Sequence, residues 1–136
     1  MDKPQKKIGP YAIDGELGRG GMGVVYQAKD TRLDRLVAIK SLHDNVLANP
    51  ESLPRFEREA RALAALNHSN IAGIHGIEQD GDHHFLILEF VDGETLADRL
   101  LRGPLPIAQA LEISSQIASG LDAAHQAGIV HRDLKP

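Results

Sequence analysis

Three stretches of the sequence carry residues whose types and spacing could do chemistry. In Leu36-Val37-Ala38-Ile39-Lys40-Ser41-Leu42, strand alternation puts Leu36, Ala38, Lys40 and Leu42 on one face and Val37 with Ile39 on the other. A cation among apolar neighbours can hold an anion, or it can snorkel to water at a sheet edge. The stretch Leu17-Gly18-Arg19-Gly20-Gly21-Met22-Gly23-Val24-Val25 spaces glycines so that backbone N–H groups can approach a polyphosphate. By itself it reads more readily as a flexible glycine hairpin. A dinucleotide fingerprint is excluded, because that motif needs a helix directly after the glycines and Val24-Val25-Tyr26 is β-branched and aromatic. The third stretch, Ile129-Val130-His131-Arg132-Asp133-Leu134-Lys135-Pro136, sets an acid and a lysine two residues apart after a short β run. Such a loop can take a substrate proton and steady a transferring phosphoryl group, or it is a solvated charged tail.

These residues need elements to position them. Strands are expected over Tyr11 to Leu17, Val24 to Lys29 and Leu36 to Leu42, where Val, Ile and Tyr are frequent. Pro50 to Leu66 follows a helical period with Phe56, Ala60 and Leu63 on one stripe. Glu59, three after Phe56 and four before Leu63, is expected within that stripe, facing Lys40. Two inward charges are each costly to bury alone, so a Lys40–Glu59 ion pair is the economical arrangement. A slightly different helix rotation would instead turn Glu59 outward beside Glu57 and Arg58.

Ile71 to Ile77 and Phe85 to Val91 read as strands around the turn Gln79-Asp80-Gly81-Asp82. Glu94 to Arg102 reads as a short helix. Ile107 to Ala127 reads as a long one, opened by Pro106 and closed by Gly128. Its stripe of Ala110, Ile113, Ser114, Ile117, Ala118, Leu121 and Ala124 expects a neighbour along one face. The adjacent His83 and His84 are expected to be solvated loop residues and not metal ligands, and His131 a packed structural histidine. No metal ligand set is assigned.

Composition narrows the classes. With 136 residues, 42% apolar and 25% charged, the chain fits one ordinary globular unit. The formal net charge of −4 and the lack of a basic stripe argue against nucleic acid. Cysteine is absent, which removes disulfides and thiolate chemistry and suits a reducing cytoplasm. The polar N-terminus with Pro4 and Pro10 is neither a signal peptide nor a membrane span.

Taken together and in this order, the glycine loop, the Val37-Ala38-Ile39-Lys40 strand and His131-Arg132-Asp133-Leu134-Lys135-Pro136 resemble the protein kinase superfamily, most closely bacterial serine/threonine kinases of eukaryotic type. The resemblance implies an α+β fold: a five-stranded antiparallel sheet plus C-helix over 11–91 including the hinge, after an extension over 1–10. The first helices of an incomplete helical lobe would follow over 92–136.

The resemblance further implies that Leu17, Gly18, Arg19, Gly20, Gly21, Met22, Gly23 and Val25 lie over ATP, and that Val25 and Ala38 clamp its purine. Lys40 anchors phosphate with Glu59 as partner, and Leu88 stands as gatekeeper. Glu89 and Val91 offer backbone groups to adenine. Asp133 matches the catalytic base and Lys135 the serine/threonine-type residue beside it.

Met22 stands where an aromatic is common and Ser69 where proline is usual. The family's asparagine and DFG aspartate, which hold Mg2+, lie beyond the motifs present. A truncated domain inactive alone is therefore expected, with protein serines and threonines as the family's substrates. The alternative is a non-catalytic nucleotide-binding or partner-docking piece that associates through its exposed helix face.

Overall fold

The computed structural model describes residues 6–20, 23–42, 48–131 and 134–136. Six antiparallel strands form one sheet: β1 (Lys7–Ile8), β2 (Tyr11–Gly20), β3 (Gly23–Asp30), β4 (Arg35–Leu42), β5 (Ile74–Asp80) and β6 (His83–Glu89), in the order β1-β2-β3-β4-β6-β5. Among the described residues three helices accompany it: α1 (Ser52–Ala64), α2 (Leu96–Leu100) and α3 (Ile107–Gln126). The α+β expectation holds, with one strand more than the five foreseen. Two residues ahead of a Gly-Pro turn carry too short a pattern to read as β1, yet Ile8 is among the most buried side chains of the molecule.

The alternation of β4 sorts the sheet into two faces. Val37 pairs with Ala28 and Glu89, and Ile39 with Tyr26 and Ile87. On that face Ile8, Tyr11, Ala28, Val37, Ile39, Phe85 and Ile87 form the hydrophobic core, flanked by Ile13 and Tyr26. The strands curl so that Ile8, Tyr11 and Ile13 from β1 and β2 join side chains from the middle of the sheet. Burying a Val or Ile fully contributes about 1.5–3 kcal/mol, so Val37, Ile39 and Ile87 alone weigh heavily in this small unit.

Asp30 is the buried acid of the described residues. Its Oδ1 accepts the Arg32 N–H at 2.9 Å and the Leu33 N–H at 3.1 Å, closing the β3–β4 turn as an Asx-type turn. Within that turn Asp34 adopts φ 53° and its carboxylate meets the Lys29 ammonium at 2.7 Å. The pairing lowers the Asp34 carboxyl below the ordinary aspartate range, by hydrogen bonding first and charge second.

The second hairpin is tighter than its sequence suggested. Only Gly81 and Asp82 form the turn, with Gly81 at φ 60°. His83 and His84 therefore open β6 opposite Asp80 and Gln79 instead of lying in a loop. β5 begins at Ile74 and not at Ile71, because the preceding residues turn around His68, whose carbonyl accepts the Ile71 N–H at 3.1 Å. A bulge between Ile74 and Gly76 leaves His75 out of the pairing. Partial desolvation, with Arg35 nearby, holds its imidazole below the usual histidine range.

α3 ends as foreseen: Gly128 takes φ 80°, and the Gly128 and Ile129 N–H groups return to the carbonyls of His125 and Ala124. Among its residues only Gly120 and Ala124 are buried, while Ile107 is 80% and Leu111 67% exposed. No described helix is long and apolar enough to cross a membrane.

Two measurements check this account. Asp30→Ala, which leaves two turn amides without their acceptor, is expected to lower stability by about 1–3 kcal/mol in urea unfolding, and Asp30→Asn to retain most of it. Because the folded-state pKa of His75 is depressed, its contribution is complete above the ordinary histidine pKa of about 6.5 and is lost as pH falls through the lower folded value. The ring is largely exposed, so a small part of the loss in unfolding midpoint between neutral and acid pH is expected to vanish in His75→Gln.

Candidate functional site

The cross-strand register assembles the site. Gly18 of β2 pairs with Val25 of β3, Val25 with Lys40 of β4, Lys40 with Leu86 of β6, and Leu86 with Ile77 of β5. Directly opposed residues of antiparallel strands share a face, so this row crosses five strands on the side opposite the core. Two residues along, Ala38 pairs with Gln27 and Leu88, and Leu88 with Ile74. Val25, Ala38, Lys40 and Leu88 thus gather on one surface, as the alternation around Lys40 required. Ala38 is buried, while Val25, Lys40 and Leu88 are half-buried. Such a surface presents an apolar platform with one ammonium at its side.

The glycines divide into two physical roles. A methyl group built on Gly18 would meet nothing within 4 Å, so this position is open toward any ligand lying beneath β2. Gly23 has φ 152°, and a methyl there would run into the Ser41 carbonyl oxygen of β4. Close approach of β3 to β4 therefore demands glycine at 23, whatever binds. Arg19 is drawn back along its own strand: its guanidinium makes two bonds to the Glu16 carboxylate, at 3.0 and 3.1 Å. Leu17 is exposed. Gly21, Met22 and Asp133 lie outside the described residues, as does the side-chain environment of Gly20.

Glu59 departs from expectation. α1 turns Leu53, Phe56, Ala60 and Leu63 inward to differing degrees, with Ala60 buried. At 3.6 residues per turn, Glu59 stands about 100° away from Ala60. Its Oε1 accepts the Arg55 Nε–H at 3.3 Å, with both side chains 55% exposed. The Lys40–Glu59 ion pair is not formed; among the described residues Glu59 is tied to Arg55. The signal was present in the sequence, since Arg55 and Glu59 have the i,i+4 spacing that favours a pair along one helix.

At the far edge of the platform Glu89 makes a double tie to Gly73. Its N–H donates to the Gly73 carbonyl at 2.8 Å, and its Oε2 accepts the Gly73 N–H at 2.8 Å. A backbone contact from Glu89 to a base would therefore use the carbonyl oxygen. Val91, just beyond, is 66% exposed. Glu94 follows, in a two-bond pair with Arg102 at 2.5 and 2.7 Å that lowers its carboxyl below the ordinary range.

The helical part is joined to the sheet by a contact that sequence reasoning did not find. His68 Nδ1 accepts the Asn70 N–H at 3.0 Å. In the neutral ring the proton then sits on Nε2, which faces Ser119 Oγ of α3 at 3.3 Å. A methyl on Gly120 would lie 3.0 Å from the Asn70 carbonyl oxygen, so glycine there lets α3 approach. His131 and Lys135 are exposed. Among the described residues no group of three or more His, Asp or Glu is placed to hold a metal.

The chain is similar to known proteins. Residues 11–136 match the protein kinase domain family. The serine/threonine-protein kinase pkn2 of Myxococcus xanthus is 46% identical over 128 residues, covering 94% of this chain and 15% of that protein. The probable serine/threonine-protein kinase PknB of Lactococcus lactis is 48% identical over 128 residues, covering 93% of this chain and 20% of that protein. The crystal structure of a cysteine-to-alanine mutant of the Mycobacterium tuberculosis PknI kinase domain superposes with a TM-score of 0.86 at 29% identity, covering 100% of this chain and 56% of that one. The chain thus spans a fifth or less of these two curated relatives.

The two glycine roles separate by mutation. Gly23→Ala is expected to destabilise the fold by about 1–3 kcal/mol through backbone strain and the β4 collision, seen as a lowered unfolding midpoint. Gly18→Ala is expected to leave that midpoint unchanged.

Proposed function

Because the chain belongs to the protein kinase family, we propose that it supplies the nucleotide-holding side of an ATP-dependent transfer of the γ-phosphate to serine and threonine hydroxyls of proteins. The observation that carries this reading is the row Gly18–Val25–Lys40–Leu86 with Ala38 and Leu88 beside it. It offers a purine an apolar surface and a phosphate one half-buried ammonium, in the order that a nucleoside triphosphate requires.

In this reading Val25 and Ala38 contact the purine face, Leu88 limits the depth of the platform, and the Glu89 carbonyl with the Val91 backbone addresses the base edge. Leu17, Gly18, Arg19, Gly20, Gly21, Met22 and Gly23 lie over the phosphates, whose charge Lys40 meets. Lys40 needs a carboxylate to keep its ammonium oriented, so productive binding turns Glu59 inward from Arg55. Asp133 accepts the proton of the attacking hydroxyl, and Lys135 steadies the transferring group. General-base help contributes about 10²- to 10⁴-fold.

When bound, Mg2+ neutralises developing phosphate charge. The described residues contain no cluster fitted to it, and no Asp-Phe-Gly occurs in residues 1–136. These residues alone are accordingly proposed to bind nucleotide without transferring phosphate. Use of ATP, together with a chain that carries no cysteine, fits a reducing cytoplasm. The exposure of Ile107 and Leu111 on α3 favours a second reading, a non-catalytic nucleotide-binding piece that docks on a partner through this face.

Thermal-shift titration with ATP tests the site: the unfolding midpoint is expected to rise at millimolar nucleotide. Lys40→Met is expected to weaken binding roughly 10- to 100-fold, the loss of one charge-assisted hydrogen bond. Stabilisation equal in Lys40→Met and the parent chain would defeat the proposal. Radiolabel transfer to a basic protein substrate by residues 1–136 would show that they are catalytically sufficient.

A further inference from the structure

Glu89 closes its end of the sheet with its own side chain. In a hydrogen-bonded pair of an antiparallel ladder, the two residues exchange both of their main-chain N–H···O=C bonds. Gly73 and Glu89 hold the positions of such a pair, one step beyond the partners Ile74 and Leu88. The Glu89 N–H donates to the Gly73 carbonyl at 2.8 Å, as the ladder requires. The returning Gly73 N–H, however, goes to the Glu89 carboxylate Oε2, also at 2.8 Å, and not to the Glu89 main-chain carbonyl.

We propose that the Glu89 side chain is a positioning residue: by standing in for its own main-chain carbonyl in the bond to Gly73, it releases that carbonyl to accept from the 6-amino group of an adenine base. The inference rests on the reading of the surface around Ala38, Lys40 and Leu88 as a nucleotide site.

Strand geometry carries the argument. The N–H and C=O of one extended residue point to the same side of the strand, so the Glu89 carbonyl is directed away from β4. Val37, opposite Glu89 on β4, accordingly makes the non-hydrogen-bonded kind of pair with it. The donor that the sheet offers this carbonyl is the Gly73 N–H, and the carboxylate has taken it. An N–H bond to a carboxylate is roughly twice as strong as one to a neutral carbonyl, which favours the exchange. β6 ends at Glu89, and Leu88 beside it lies with Ala38 on the platform face. The released oxygen thus stands at the rim of the apolar surface. A carbonyl can only accept, so it favours a base with an amino group at that edge over one without it.

Through-bond NMR coupling decides the pairing without nucleotide. The Gly73 nitrogen is expected to couple to the side-chain carboxyl carbon of Glu89 in the parent chain and to the side-chain amide carbon in Glu89→Gln. In Glu89→Ala it is expected to couple to the main-chain carbonyl carbon of residue 89. Coupling to that main-chain carbon in the parent chain, or its absence in Glu89→Ala, overturns the proposal.

Titration with ATP and with purine riboside triphosphate, which lacks the 6-amino group, decides the consequence. The parent chain and Glu89→Gln are expected to bind ATP more tightly than the analogue by about 3- to 10-fold, the worth of one hydrogen bond. In Glu89→Ala that ratio is expected to fall to about one, with binding of the analogue unchanged. A ratio that survives in Glu89→Ala, or an equal loss for both nucleotides, overturns the role of the side chain. Glu89→Gln keeps the acceptor and removes the charge that reaches the His75 ring; if it behaves as Glu89→Ala does, charge and not the hydrogen bond matters and the proposal fails. If neither nucleotide binds the parent chain, the nucleotide reading fails, and the couplings still decide whether the carboxylate frees the carbonyl.

Discussion

The pairing of β4 with β3 on one side and β6 on the other is the constraint on which the rest of the structure depends. Side chains of a strand alternate between faces, so burying Val37 and Ile39 in the core leaves Ala38 and Lys40 no choice but the opposite face. A register slip of one residue would exchange the two sets. It would place an ammonium in the core, at a cost of several kcal/mol. The same pairing explains Gly23, whose missing side chain admits the Ser41 carbonyl. It also brings Val25 and Leu86 to either side of Lys40.

Helix α1 is governed less firmly. Ala60 and Ala64 line a cavity of about 260 Å³ together with Ile74, Gly76 and Ile77 of β5, while Leu53, Phe56 and Leu63 are half-buried on the same helix. Its N-terminus has no side-chain cap from Glu51. Glu59 is exposed on this helix and bonded to Arg55.

The α3 helix is held to the β-sheet region by polar contacts instead. His68 joins Asn70 to Ser119, and Gly120 lets the Asn70 carbonyl come close. A histidine bonded at both ring nitrogens has one satisfied tautomer, so this junction has a defined geometry even though most of the α3 surface is exposed. Directional bonds there complement the non-directional packing that organises the sheet.

Much of this was legible in the chain itself. The two faces of β4, the strand character after the glycines, the end of α3 at Gly128 and the kinase resemblance all follow from local pattern, because alternation, glycine φ and turn chemistry act over a few residues. Tertiary structure alone decided the rest. β1 is too short to have a pattern and exists because Ile8 fills a core built by distant strands. β5 starts late because His68 captures the residues before it. Glu59 is turned outward because helix rotation is set by which side chains meet the sheet, with Ala60 buried and Glu59 exposed. A five-residue window records the spacing of charges along a helix; the direction in which that helix turns them depends on surfaces far away in sequence.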